Sequence, residues 1–183
     1  MALTYSSMLE LGSSLEEFKL LNTVSGNDFS SSELDEAKPS LIMFICNHCP
    51  YVIHYHDEIK RLANDFDNTI NMVAISSNDI KEYPQDGPDK MRELWEGLGL
   101  SFPYLFDSTQ DVAKQYKAEC TPEFYLFDSC QKLVYRGRLD ESSPNSGSEP
   151  TGKDLRNAIE NMLNNEEVNP DQFPSMGCNI KWK

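Results

Sequence analysis

The sequence is poor in basic residues and contains no long apolar run. It has 16 Lys and Arg against 30 Asp and Glu, a formal net charge of −14. A surface of this sign repels phosphate backbones and no basic stripe offsets it, so we do not expect a nucleic-acid partner. No apolar segment approaches the roughly 20 residues that span a membrane. Residues 1–15 lack the basic residues that open a secretory signal. We therefore expect a cytoplasmic protein without a membrane partner.

Cysteine is too sparse for a disulfide scaffold, and histidine is too clustered for a distributed metal site. The five cysteines are Cys46, Cys49, Cys120, Cys130 and Cys178. An odd number at this density is typical of buried thiols, metal ligands or redox groups. All three histidines fall between positions 48 and 56, and there is no second C-x-x-C pair. The pattern predicts neither a bound metal nor another cofactor.

Apolar residues alternate between strand-like and helix-like spacing, which indicates an α/β domain. The continuous run at 41–45 predicts a central strand. From Pro50 to Phe66 the apolar residues recur at three- and four-residue steps, as on one face of a helix. Further predicted elements are a strand at 70–75, a helix at 90–98, a strand at 102–106, a helix capped by Ser108 and ending near 117, a hairpin of 123–127 and 133–136, and a helix from a Thr151–Asp154 capping box to about 163. This order predicts a mixed central sheet flanked by helices.

The length of 183 residues suits a single domain. Residues 1–34 read as an N-terminal arm or hairpin, 35–164 as the core, and 165–183 as a tail that packs on the core. There is no internal repeat. Trp95 and Trp182 are both assigned to packing.

Cys49 stands where the first predicted strand gives way to a helix. Proline is favoured at the first helical position, so Pro50 predicts that Cys49 is the N-cap residue. There its sulfur would accept from backbone N–H groups one turn in and lie at the positive end of the helix dipole. Both effects favour the thiolate, which attacks disulfides and peroxides. The alternative is a small buried apolar residue, but α/β sheets expose their sites at the carboxyl ends of strands.

Two segments resemble the active region of thioredoxin-family proteins. Residues 44–52, Phe-Ile-Cys-Asn-His-Cys-Pro-Tyr-Val, resemble the strand-to-helix corner, and residues 120–128 resemble the cis-proline loop with its following strand. With Tyr-Arg-Gly-Arg at 135–138 and the tail Gly-Cys-Asn-Ile-Lys-Trp-Lys, nearly the whole chain resembles the peroxiredoxin-like, AhpC/TSA-related group. This resemblance implies a thioredoxin-like fold and a thiol-disulfide oxidoreductase or antioxidant protein. Its partners would be proteins or small molecules that carry a thiol or disulfide.

The resemblance also contains two departures. Val52 stands where thioredoxins have their resolving cysteine. In the register of typical peroxiredoxins, the peroxidatic cysteine, its threonine and its later arginine are replaced by Val52, Cys49 and about Pro122. The usual dithiol pair and the usual peroxidatic set are therefore both missing.

The sequence leaves open which cysteine resolves an intermediate on Cys49. Cys120 ranks first because the resemblance places it beside the corner. Cys178 follows, since the apolar residues after it could dock the tail over the site, and Cys46 comes third through its C-x-x-C spacing. Cys130 lies in the predicted hairpin turn and is left out. A mixed disulfide with an external thiol is an equally open outcome.

Four further residues are predicted to bind substrate. Thr121 and Pro122 would shape the substrate groove, where a cis Thr-Pro bond would present the backbone to a bound thiol. His48 flanks Cys49 and would stabilise its thiolate when protonated. Tyr51 would line the site.

Other functions and roles remain open from the sequence. The chain could be a weak thiol peroxidase or peroxide sensor, or a non-catalytic binding module that retains the fold. Glu123 is expected to be a solvated carboxylate at the start of a strand, with a proton shuttle as the alternative. The sequence does not predict an oligomeric state.

Overall fold

The computed structural model describes residues 3–183. Met1 and Ala2, the start of the predicted arm, lie outside them. The strands are β1 (Leu3–Tyr5), β2 (Lys19–Asn22), β3 (Asp28–Ser30), β4 (Ser40–Phe44), β5 (Asn71–Ser76), β6 (Tyr104–Phe106), β7 (Cys120–Thr121), β8 (Glu123–Phe127), β9 (Leu133–Gly137) and β10 (Met176–Asn179). The helices are α1 (Pro50–His54), α2 (His56–Asp65), α3 (Pro88–Leu98), α4 (Asp111–Gln115) and α5 (Lys153–Leu163).

The main sheet of the described chain has seven strands in the order β3-β2-β6-β5-β4-β8-β9. Strand β4 lies inside the sheet, parallel to β5 on one side and antiparallel to β8 on the other. All five of its residues are buried, because apolar clusters cover both faces of the sheet. The β8–β9 hairpin closes one edge. The predicted α/β fold with a mixed sheet is confirmed.

The N-terminal hairpin is part of the main sheet. Strands β2 and β3 pair with each other, and β2 also pairs with β6. Leu15 and Phe18 are buried in one of the two apolar clusters. The arm therefore extends the core of the domain.

A second sheet carries the tail to the site. In the described residues it has three strands in the order β1-β10-β7. Cys178 on β10 is paired with Thr121 on β7, and Asn179 with Cys120. Beyond β10, Ile180 is buried and donates its N–H to the carbonyl of Glu119. Strand β10 is thus fixed on the loop that precedes Pro122.

Two tryptophans were assigned to packing, and only one is in the core. Trp95 is fully buried and donates its indole N–H to the carbonyl of Phe102 at 2.8 Å. Trp182 is 44% exposed, so its predicted packing is wrong. The neighbouring Ile180 is the residue that anchors the tail.

The start of two helices differs from the predictions. Helix α4 begins after Gln110, and the carboxylate of Asp107 accepts from the Ala113 N–H at 3.0 Å, the role predicted for Ser108. Helix α5 begins after Gly152, whose φ is 65°.

The predicted capping box of α5 is absent because another carboxylate takes its place. Asp140 accepts the N–H groups of Thr151 and Gly152, each at 2.7 Å. The predicted helix after Pro50 is also divided at Tyr55 into α1 and α2. None of the helices in residues 3–183 combines the length and apolar character needed to cross a membrane.

Candidate active site

Cys49 is the N-cap residue of α1, and Pro50 occupies the first helical position, as predicted. Its sulfur lies 3.1 Å from the carbonyl oxygen of Thr121, and the Thr121–Pro122 bond is cis. Cys49 is nevertheless fully buried, so the expectation of an exposed thiol is wrong. Strand β10 is the reason, since Cys178 is paired with Thr121 directly beside the sulfur.

The pKa of Cys49 is lowered to about 5, chiefly by a hydrogen bond from the Cys46 thiol. Burial opposes this shift, while the Cys178 thiol and Thr121 add further donation. The Val52 N–H contributes least of the favourable groups. The sequence located the stabilisation at the helix end, but the five-residue α1 makes no regular side-chain cap at Cys49. The structure locates it mainly in a neighbouring thiol.

Cys46 and Cys178 keep their protons while Cys49 is ionised. The hydrogen bond to Cys49, burial and the charge of Asp86 together hold the pKa of Cys46 well above its usual range. Burial, followed by the hydrogen bond to Cys49, raises the pKa of Cys178 to about 12. Of these three thiols, Cys49 is therefore the one that carries the negative charge.

Cys120 is buried beside this group but turns toward a different partner. Its sulfur lies 4.0 Å from the carbonyl of Pro122 and 3.9 Å from Glu123 Oε2. Burial raises its pKa, and the charge of Glu123 adds to the effect. Cys130 is exposed in the β8–β9 turn, as predicted.

The structure directs His48 toward Asp86. Its Nδ1 lies 2.6 Å from Asp86 Oδ2, and its ring stacks on Tyr83 with the centroids 5.1 Å apart. The thiol that it approaches is that of Cys46, at 3.9 Å. Its predicted contact with Cys49 is replaced by an indirect one.

Asp86 is a residue of this corner that the sequence analysis missed. It is fully buried and accepts the backbone N–H groups of Asn47 and His48 at 2.9 and 3.3 Å. The amide of Asn78 donates to its other oxygen at 2.9 Å. This carboxylate fixes the backbone between the two corner cysteines. An aspartate in a polar loop gave no signal of that role.

One set of side chains in the described structure could hold a metal ion. The donor atoms of Cys46, His48 and Asp86 lie within 4.8 Å of one another. The separation of 2.6 Å between the imidazole and the carboxylate is a hydrogen-bond distance, however. Asp86 is also already satisfied by three other donors. The geometry fits a hydrogen-bonded corner better than a coordination site.

Glu123 is buried, so its expected solvation is wrong. Its Oε2 accepts from the Glu119 N–H at 3.0 Å and its Oε1 from the Tyr125 hydroxyl at 2.8 Å. Burial raises the pKa of this carboxyl to about 7 despite these donors. The start of β8 lies inside the sheet, where Glu123 is paired with Phe44. Glu123 thereby holds the loop that carries Thr121 and Pro122.

A cavity of about 280 Å³ opens beside Pro122. Its lining includes Tyr5, Tyr55, Pro122, Arg138, Phe173 and Met176. The guanidinium of Arg138 lies 4.2 Å from the centre of the Phe173 ring. Tyr51 is half-buried, and burial raises the pKa of its hydroxyl, with the nearby Cys178 and Cys49 group adding to the effect. The substrate-binding roles of Tyr51, Thr121, Pro122 and His48 stay predictions.

Comparison with known proteins places the chain in a wider group. The Redoxin family model matches residues 10–155. An uncharacterized conserved protein from Geobacillus kaustophilus is 47% identical with a TM-score of 0.97, over 100% of this chain and 97% of that one. A hypothetical protein from Sinorhizobium meliloti 1021 is 38% identical with a TM-score of 0.95, over 98% of both chains.

A more distant structure shows the fold alone. The thiol-disulfide oxidoreductase from Bacteroides fragilis is 22% identical with a TM-score of 0.56, and the alignment covers 79% of this chain and 98% of that one. The fold is thioredoxin-like, as the sequence predicted. No curated protein matches the chain.

Proposed function

The chain belongs to the Redoxin family, and on that premise we propose that it is a thiol-disulfide oxidoreductase, an antioxidant type of protein, with Cys49 as its nucleophile. One observation carries the proposal. The Cys49 sulfur lies at the start of α1 beside the cis Thr121–Pro122 bond, where a hydrogen bond from the Cys46 thiol lowers its pKa to about 5. A thiolate in that setting is the reactive form of cysteine at neutral pH.

The chemistry is two successive exchanges at sulfur. The Cys49 thiolate attacks one sulfur of a disulfide R–S–S–R′, forming a Cys49–S–S–R bond and expelling R′–S⁻, which takes up a proton. A second thiol then loses its proton and attacks the Cys49 sulfur, so that R–SH leaves. The protein ends with one disulfide, and two electrons have passed to the substrate.

The surroundings of Cys49 supply the remaining requirements of this exchange. The Cys46 thiol donates a hydrogen bond to the thiolate, and Asp86 fixes the backbone that presents both cysteines. The cavity beside Pro122 gives a group of the substrate a place next to the cis bond. Its aromatic lining suits apolar or aromatic parts of a protein or small-molecule disulfide.

The test is the single-turnover reduction of bis(2-hydroxyethyl) disulfide by the reduced protein, followed as mercaptoethanol release. We expect the rate to level off above about pH 6, where a thiol of pKa about 5 is about nine-tenths ionised. Cys49→Ser abolishes the reaction. Cys130→Ser, which changes the exposed turn cysteine, leaves the rate unchanged. A Cys49→Ser protein that still reacts at the wild-type rate overturns the assignment.

Hydrogen peroxide is the second oxidant for the same assay. A thiolate attacks peroxide to give a sulfenate and water. In the register of typical peroxiredoxins, the peroxidatic cysteine, its threonine and its arginine are replaced by Val52, Cys49 and about Pro122. We therefore expect Cys49 to react faster with the disulfide. Faster consumption of peroxide would favour the peroxidase function. A folded protein whose Cys49 reacts with neither oxidant would indicate a binding module.

A further inference from the structure

We propose that Cys178 is the resolving cysteine and that β10 presents it to Cys49 as a built-in partner strand, so that the oxidised protein holds a Cys49–Cys178 disulfide. The inference rests on the proposed function, since it names the second thiol of that exchange. It also chooses one of the three cysteines between which the sequence could not decide.

Strand β10 lies directly beside Cys49. Cys178 is paired with Thr121, and the Thr121 carbonyl lies 3.1 Å from the Cys49 sulfur. The Cys178 thiol also hydrogen bonds with Cys49. The strand therefore occupies the backbone edge beside the nucleophile and carries a thiol there.

Strand β10 also packs closely against Thr121 and Pro122. A Cβ on Gly177 would overlap the carbonyl oxygen of Thr121 and approach Pro122 Cδ to 3.3 Å. Only a residue without a side chain lets β10 lie this close. Flanking bonds hold the strand in place, from Ser6 N–H to the Ser175 carbonyl at 3.0 Å and from Ile180 N–H to the Glu119 carbonyl at 3.0 Å.

Different neighbouring charges act on the Cys178 and Cys46 thiols. Both thiols donate to Cys49, and both lose that charged acceptor once Cys49 enters a mixed disulfide. The Asp86 charge continues to hold the pKa of Cys46 up. The Lys181 charge acts in the opposite direction on the pKa of Cys178, after burial and Cys49 have raised it. Cys178 is therefore the thiol that ionises more readily at the second step.

Cys120 is set apart by its partners. Its sulfur faces the Pro122 carbonyl and the Glu123 carboxylate, and that negative charge adds to burial in raising its pKa. It would have to turn away from both groups to reach Cys49.

The second exchange takes place between Cys178 and the mixed disulfide on Cys49. The Cys178 thiol gives its proton to the expelled R′–S⁻, and the Cys178 thiolate then attacks the Cys49 sulfur. The Cys49–S–S–R bond breaks as the Cys49–Cys178 bond forms, and R–S⁻ leaves and is protonated by water. The external disulfide is reduced to two thiols, while the two cysteines are oxidised to one disulfide.

The experiment is non-reducing peptide mapping of the full-length protein after a stoichiometric pulse of bis(2-hydroxyethyl) disulfide. We expect a Cys49–Cys178 peptide pair and two equivalents of mercaptoethanol. A Cys49–Cys46 or Cys49–Cys120 pair, or a lasting adduct on Cys49, would overturn the inference and leave the proposed function standing. A folded protein with Cys49 unmodified would overturn both. This measurement needs no variant.

A variant series supports the mapping. Cys178→Ser retains a donor to Cys49 but cannot form the bridge, so the mixed disulfide on Cys49 should persist at least about tenfold longer and only one equivalent of thiol should appear. Cys120→Ser and Cys46→Ser should each still form the Cys49–Cys178 pair. The resolving cysteine would instead be Cys120 or Cys46 if replacing that residue by serine abolished the Cys49–Cys178 pair. In that case the mixed disulfide on Cys49 should also disappear rapidly in Cys178→Ser.

Discussion

Gly177 packs directly against the peptide of Thr121, and a Cβ on this glycine would overlap the Thr121 carbonyl oxygen. The same oxygen lies 3.1 Å from the sulfur of Cys49. The absence of a side chain at position 177 therefore sets how closely β10 covers Cys49. The burial of Cys49 and its contact with Cys178 both depend on this approach.

Gly177→Ala is expected to move β10 away from Thr121 and expose Cys49. At about pH 9, where Cys49 is fully ionised, its alkylation rate should rise about tenfold, because access then limits the reaction. The free energy of unfolding should fall by about 1–3 kcal/mol, the usual range for overpacking. Iodoacetamide labelling with peptide analysis and urea unfolding measure the two effects.

Gly97→Ala is the matched control for this substitution. Gly97 lies in α3, and apart from its chain neighbours and the helix's own backbone nothing lies within 4 Å of a Cβ built on it. Its replacement should leave the alkylation rate unchanged and stabilise the helix slightly. An unchanged alkylation rate in Gly177→Ala would show that β10 does not control access to Cys49.

Cys46→Ala is expected to raise the pKa of Cys49, because the hydrogen bond from Cys46 is the largest cause of its depression. The pH midpoint of Cys49 alkylation should move upward, and the rate at about pH 6 should fall several-fold. Cys46→Ser, whose hydroxyl can still donate, should recover part of the shift. Cys130→Ala is the control without effect. An unmoved midpoint in Cys46→Ala would show that the hydrogen bond from Cys46 does not lower the pKa of Cys49.

Glu123→Gln is expected to weaken the pH dependence of the free energy of unfolding. The folded pKa of Glu123 is raised to about 7, so its stabilising effect is complete below about pH 4.5 and is lost as the pH rises through 7. The wild type should therefore lose up to about 3 kcal/mol relative to the variant across that window. The contribution of Cys49 is common to both proteins and cancels. Unfolding measured from pH 4 to 8 tests this, and parallel profiles would contradict it.

Asp86→Asn is expected to destabilise the corner. The amide would place N–H donors where Asp86 Oδ2 now accepts from His48 and Asn78. A cost of about 2–4 kcal/mol in the free energy of unfolding follows, since buried donors lose their acceptor. Asp89→Asn is the matched control, because that side chain is 84% exposed and should change stability by less than about 0.5 kcal/mol. Equal effects in urea unfolding would contradict the role of Asp86.

Features that depend on neighbouring residues were predictable from the sequence. Pro50 at the first helical position identified Cys49 as the N-cap, and the turn between two apolar runs identified the β8–β9 hairpin. The cis bond at Thr121–Pro122 followed from the family resemblance. Together with the resemblance, these local signals placed Cys49 beside the proline loop.

Features that depend on distant segments were not predictable. Asp86 meets His48 from a loop 38 residues away, and a polar loop residue carries no sign of complete burial. Glu123 is buried because the start of β8 pairs with the end of β4. The pairing of Cys178 with Thr121 arises from a tail folded across the domain. A single sequence does not encode these contacts in any local pattern.

The pH dependence of Cys49 alkylation in the folded wild-type protein is the decisive test of the proposal that Cys49 is the nucleophile. We expect a midpoint near pH 5, and a return to the ordinary thiol midpoint of about 8.5 when the protein is denatured in urea. A midpoint near 8.5 in the folded protein, or no labelling of Cys49 before unfolding, would contradict the assignment of Cys49 as the nucleophile.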